Sequence, residues 1–124
     1  MNVSDWPRYH YRAVVVETPR GHPVVDGDTF DCMVDFGDFT YRRRRIRVLG
    51  YDSPEDDGAT KAAGLLAADA LADIIPLGSY VYLHTKLDRE NLDRLLAKVY
   101  VEGSDGDLYN VAEAMVSGGF GEKA

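Results

Sequence analysis

The sequence predicts a mainly β domain with some α: five short strands closing into a barrel, one helix between the third and fourth, and a short helix near the C-terminal end. Three observations predict it. Five stretches are β-rich or alternate between apolar and polar residues, the stretch between the third and fourth repeats at helical period instead, and Gly or Pro residues punctuate the series. At 124 residues the chain is long enough for one core and too short for two, so residues 1–124 are expected to form a single domain.

Residues 9–17 are rich in β-formers and are stopped by Pro19, Gly21 and Pro23. Over 29–36, Phe30, Cys32, Val34 and Phe36 share one face, and Thr29, Asp31, Met33 and Asp35 share the other, which predicts a half-buried strand. Gly37-Asp38 is a turn signal, and 39–49 returns as a third strand in which Ile46 and Val48 face away from Arg45 and Arg47. Ala63, Leu66, Ala67, Ala70, Leu71 and Ile74 then fall on one helical stripe opposite Lys61, Asp69 and Asp73, and Pro76 and Gly78 end that helix. Residues 79–86 alternate again, with Val81 and Leu83 opposite Tyr80, Tyr82 and His84. Leu95, Ala97, Val99 and Val101 mark a fifth strand. After a turn over 103–106, a short helix is predicted at 110–116, ended by Gly118-Gly119. Three strands, a helix and two strands is the order of an OB-fold, a five-stranded Greek-key barrel whose closure removes exposed sheet edges. That architecture serves nucleic-acid and sugar binding equally and does not decide function.

Composition narrows the classes. Hydrophobic residues make up 45% and charged residues 28%, the balance of a globular domain rather than a disordered chain. The lone Cys32 cannot form an intrachain disulfide, and no Cys/His spacing suggests a zinc site. With no apolar leader and no run long enough to span a bilayer, a cytoplasmic protein with no membrane association is expected. The net charge of −7 opposes a polyanion at long range, but that repulsion is screened beyond about 10 Å in 0.1 M salt. Arg42, Arg43, Arg44, Arg45 and Arg47 supply five of the fourteen cations and predict one basic surface on an acidic body.

The chemistry lies in two acidic clusters and two arginines. Asp26-Gly27-Asp28-Thr29 alone reads as a tight turn, and Asp52-Ser53-Pro54-Glu55 alone as a loop before a helix. Together, each at a strand end and flanking an arginine-rich strand, they offer oxygen donors for a hard cation, while Arg47 and Arg94 offer planar forks for a phosphate. These are the groups that metal-assisted cleavage of a phosphodiester requires.

Val25-Asp26-Gly27-Asp28-Thr29, Arg47-Val48-Leu49-Gly50-Tyr51-Asp52-Ser53-Pro54-Glu55 and Asp93-Arg94-Leu95-Leu96-Ala97-Lys98-Val99-Tyr100-Val101 resemble, in order and spacing, the thermonuclease (staphylococcal nuclease-like) family. The resemblance runs from Val24 to Phe120 and includes Ala112-Glu113-Ala114-Met115-Val116. It implies an OB-fold enzyme that uses Ca²⁺ and water to hydrolyse DNA and RNA with little sequence preference, leaving 3′-phosphate ends. Carried over by position, Asp28, Asp52 and the carbonyl of Ser53 are the implied calcium ligands, with Asp26 in the outer shell. Glu55 is the implied group that orients or deprotonates the attacking water, and Arg47 and Arg94 are the implied phosphate and transition-state ligands.

The resemblance is incomplete in two places. The family's Asp-x-Tyr-Gly-Arg is replaced by Glu90-Asn91-Leu92-Asp93-Arg94, which exchanges a nucleotide-stacking ring for Leu92 and sets Asp93 beside the arginine. Weaker substrate binding is the expected consequence. A further helix and tyrosine of the better-known relatives have no counterpart before Ala124, so marginal stability or a homodimer is expected. The alternative reading is a weak or inactive OB-fold module that binds nucleic acid or protein. Arg42 to Arg45 read as a solvated strand end rather than a base-reading element, His10, His22 and His84 as scattered residues without ligand spacing, and Trp6, Tyr80, Tyr82 and Tyr100 as core or rim packing.

Overall fold

The computed structural model describes residues 2–5, 9–55 and 58–124. Its elements run β1 (His10–Val16), β2 (Thr29–Asp35), β3 (Tyr41–Val48), β4 (Tyr51–Asp52), α1 (Lys61–Ile74), β5 (Tyr80–Leu87), β6 (Arg94–Glu102), β7 (Leu108–Asn110), α2 (Val111–Ser117) and β8 (Glu122–Lys123). The long strands lie in the order β3-β2-β1-β5-β6 with antiparallel neighbours, and a parallel β3–β6 pairing from Arg45↔Arg94 to Val48↔Ala97 closes them. The result is the OB-like closed barrel of five strands expected from the element order, with α1 between the third and fourth barrel strands.

Strict alternation fills the barrel. Ala13 and Val15, Phe30, Cys32 and Val34, Ile46 and Val48, Val81 and Leu83, and Ala97 and Val99 are all buried. Leu71 and Ile75 close the core from α1, and Val111, Ala112 and Met115 close it from α2. Burial pushes the Cys32 thiol up to about 12, leaving it a packing residue. Asn110 caps α2 by accepting from the Glu113 N–H at 3.2 Å.

Four expectations are corrected. The β3 strand starts at Tyr41, not 39, because Gly37, Asp38 and Phe39 all take positive φ in a wider turn closed by Phe36 N–H to Thr40 O at 2.9 Å. Strand β2 is not half-buried: its first four residues are buried on both faces, Asp31 included. The stripe of α1 is rotated, since Gly64, Ala67 and Leu71 are buried while Ala63 and Leu66 are exposed, Leu66 by 60%. The two-residue strands β4 and β8, which carry no periodicity to read, pair with each other beside the barrel. Asp69 and Asp73 are exposed as expected, whereas Trp6 lies outside the described residues. Among the described residues no helix is long and apolar enough to cross a membrane.

Candidate active site

The two acidic clusters meet because of local backbone geometry. A bridge from Asp26 to Thr29 folds the first cluster back at the start of β2, and the Val48 N–H bonds the Asp28 carbonyl at 2.8 Å, which sets that loop beside the end of β3. Strand β4 then turns the second cluster over it. The buried Tyr51 hydroxyl donates to the Gly27 carbonyl and ties the clusters together. Gly27 is required by close approach: a Cβ there would stand 2.7 Å from Ala67 Cβ and 2.8 Å from Ser53 Cβ.

Asp26, Asp28, Arg47, Asp52, Ser53, Glu55 and Arg94 all line one cleft of about 350 Å³, together with Thr29 and Pro54. Every site residue expected from the sequence is therefore brought to one place. Asp28 is its most engaged member: Oδ1 accepts the Thr29 hydroxyl at 2.9 Å, and Oδ2 accepts the Ser53 hydroxyl at 3.1 Å and lies 3.4 Å from Arg47 Nη2. The same guanidinium nitrogen lies 2.7 Å from Asp52 Oδ1, while Nη1 donates to the Tyr51 carbonyl at 3.1 Å. Arg94 donates through Nε to Asp88 Oδ2 at 2.8 Å, and Asp88 is only 6% exposed. That bond uses Nε, and Arg94 also lines the cleft.

The charges are unevenly compensated. Burial pushes the Asp26 carboxyl above its ordinary value, and the Asp28 carboxyl beside it adds to the effect. Burial pushes Asp28 up as well, but its bond with Asp26, the Arg47 charge and the Thr29 hydroxyl outweigh that and hold it low. Of the two, Asp26 is therefore the carboxyl that takes up a proton first as pH falls, and Asp28 the one that keeps its charge longer. Acid oxygens crowded in this way are of the donor type that a hard, oxygen-seeking cation takes. Among the described residues no three acid, histidine or cysteine side chains already form a metal cage. Asp52 is held on Arg47 rather than turned toward Asp26.

Four contributors had no role in the sequence reading: Thr29, Gly27, Tyr51 and Asp88. Thr29 and Gly27 stood inside the motif and signalled themselves by position alone, whereas the Tyr51 and Asp88 contacts depend on tertiary approach. The histidines need a correction: His10 and His84 are cross-strand partners, stacked with ring centroids 4.2 Å apart, though away from the cleft. The arginine run is not one surface either. Arg43 and Arg45 bind Asp31 at 3.0 and 2.9 Å, while Arg42 and Arg44 face the barrel's open end. No known family model matches the chain, and no curated protein matches it.

Proposed function

We propose that this chain is a calcium-dependent nuclease that hydrolyses phosphodiester bonds of DNA or RNA with little sequence preference, leaving 3′-phosphate ends. The observation that carries the reading is the single cleft that gathers four carboxylates and two guanidinium groups from four separated segments. Asp28, Asp52 and the Ser53 carbonyl would hold the ion, with Asp26 behind them. A calcium ion held there supplies Lewis-acid polarisation of the phosphoryl group. Asp52, paired with Arg47 at 2.7 Å, would have to exchange that partner to hold the ion, which would leave the guanidinium more open to a phosphate.

Arg47 and Arg94 grip the phosphoryl oxygens in planar, paired fashion and offset the charge that grows at phosphorus. Asp88 orients Arg94 from behind. Glu55, exposed at the cleft's edge, takes the proton of the attacking water or orients it.

A fluorescent single-stranded DNA assay tests the reading. Calcium is expected to switch cleavage on and a chelator to switch it off; Glu55→Gln, Arg47→Ala and Arg94→Ala should each fold normally and lose about 10² to 10³ in rate. Folded protein that leaves DNA and RNA uncut across a calcium titration would refute the proposal. The binding-module alternative draws on Arg47, which is occupied by Asp28 and Asp52, and on Leu92, 70% exposed where a stacking ring was expected. A nucleic acid that shifts on a gel without being cut would favour it.

A further inference from the structure

The barrel is open at the end formed by the starts of β1, β3 and β6 and the ends of β2 and β5. Residues there line an open hollow of about 580 Å³, a volume suited to one nucleotide-sized group. Tyr11 and Phe36 form an aromatic wall, edge to face with ring centroids 4.8 Å apart. Arg42, Arg44, Lys86 and Arg89 also line the space, and among the described residues no carboxylate does. On a chain of net charge −7, four cations around an apolar cup with no acid among its described lining residues form a concentrated positive site.

Arg44 carries the sharpest signal. It follows the inward alternation of Ile46 and Val48, and its Nε is buried without a hydrogen-bond partner. Its Nη2 makes only a long contact of 3.4 Å to the Leu92 carbonyl. A buried donor left unmatched is costly, so the guanidinium is held at the mouth by little internal bonding among the described residues, and its outer nitrogens are the ones an anion could engage. An apolar aromatic cup rimmed by guanidinium groups matches a flat ring carrying an anionic backbone.

We propose that the barrel mouth binds one nucleotide of a single-stranded nucleic acid, its base against Tyr11 and Phe36 and its phosphate on Arg42 and Arg44. The occupant is a strand rather than a free nucleotide because the mouth adjoins the cleft. Leu87 and Arg89 line the mouth, while the intervening Asp88 and the following Glu90 line a second hollow that shares Arg47, Asp52 and Arg94 with the cleft, so one short segment lies between mouth and cleft. A duplex keeps its rings stacked inside and cannot place one in the cup. The proposal takes its substrate class from the nuclease reading but needs no cleavage.

The test is fluorescence anisotropy of a labelled short oligothymidylate with excess chelator, which keeps the strand intact. Arg42→Ala and Arg89→Glu, both at exposed positions, are expected to weaken binding about tenfold each while the melting temperature holds. Each cation removed should lower the slope of log K against log salt by about 0.7. A duplex of equal length should bind at least tenfold more weakly. Parent-like binding by both variants, equal binding of duplex, or equal binding of thymidine monophosphate would each overturn the proposal. Intact mouth binding with no calcium-dependent cleavage would instead remove the nuclease reading alone, and cleavage without any mouth effect would remove this one alone.

Discussion

Asp31 shows how a single residue decides where a charge run goes. Asp31 is 2% exposed and its carboxylate accepts from Arg43 on Oδ2 and from Arg45 on both oxygens across the neighbouring strand. Burial pushes this carboxyl up, but the hydrogen bonds and charges of the two arginines outweigh it, so it titrates below its ordinary 3.8. A carboxyl depressed in the folded state stabilises above its unfolded value and loses that contribution as pH falls through the folded one. Because both arginines remain partly exposed, Asp31→Asn is expected to cost about 1 to 2 kcal/mol at neutral pH. The gap between parent and variant should close below about pH 3.8 in urea unfolding, and a gap that stays constant with pH would contradict the ion-pair account. The sequence placed Asp31 and the odd-numbered arginines on an outer face, but their meeting depends on register. Register depends on the hairpin, and the Gly37-Asp38 signal understated a turn in which Phe39 also takes a left-handed backbone. For the same reason Asp88 was not legible: an acid six residues before an arginine has no periodic signature until the 88–91 turn folds it back.

At the scale of elements, α1 separates what a pattern specifies from what it leaves open. Its helical period and its stop at Pro76 were readable; its phase was not, because Lys61–Ile74 is apolar on most sides and Gly64, which scores as no hydrophobe, faces the core. Packing chose the face with the smallest residues nearest the acidic loop, where Ala67 meets Gly27 and nothing larger fits. The observed phase predicts that Leu66→Glu changes stability by no more than about 0.5 kcal/mol, whereas Leu71→Ala costs about 2 to 5 kcal/mol. Denaturant melts of the two variants check this, and a large loss for Leu66→Glu would restore the other phase. The strands were more legible because alternation allows only two phases and the barrel interior must take the apolar one. The candidate site was legible for a related reason: its members sit at strand ends, and a closed barrel with a fixed strand order brings particular ends together.

Over the whole molecule, barrel closure positions β3 against β6 and so Arg47 near Arg94, but it does not by itself hold the second acidic cluster in place. That task falls to a small clamp. Strand β8 pairs Lys123 with Tyr51 and Glu122 with Asp52, and the Ala124 N–H reaches the Gly50 carbonyl at 3.2 Å. Gly121 lies so close that a Cβ there would come within 2.7 Å of the Tyr51 ring and 2.8 Å of the Asp52 carbonyl. Tyr51 in turn fixes Gly27 and, through its carbonyl, Arg47, so the clamp is linked to both clusters and to one guanidinium. Removing residues 121–124 leaves every barrel strand intact but uncovers Tyr51 and frees the backbone of Asp52. The expected outcome is a loss of about 1 to 3 kcal/mol in stability, with far-ultraviolet circular dichroism close to the parent's and a several-fold rise in the calcium concentration that half-activates cleavage. Since a merely global destabilisation would leave calcium dependence unchanged well below the melting temperature, the two readouts separate. A truncated protein that retains the parent's calcium midpoint would show that the second cluster is held by the barrel alone.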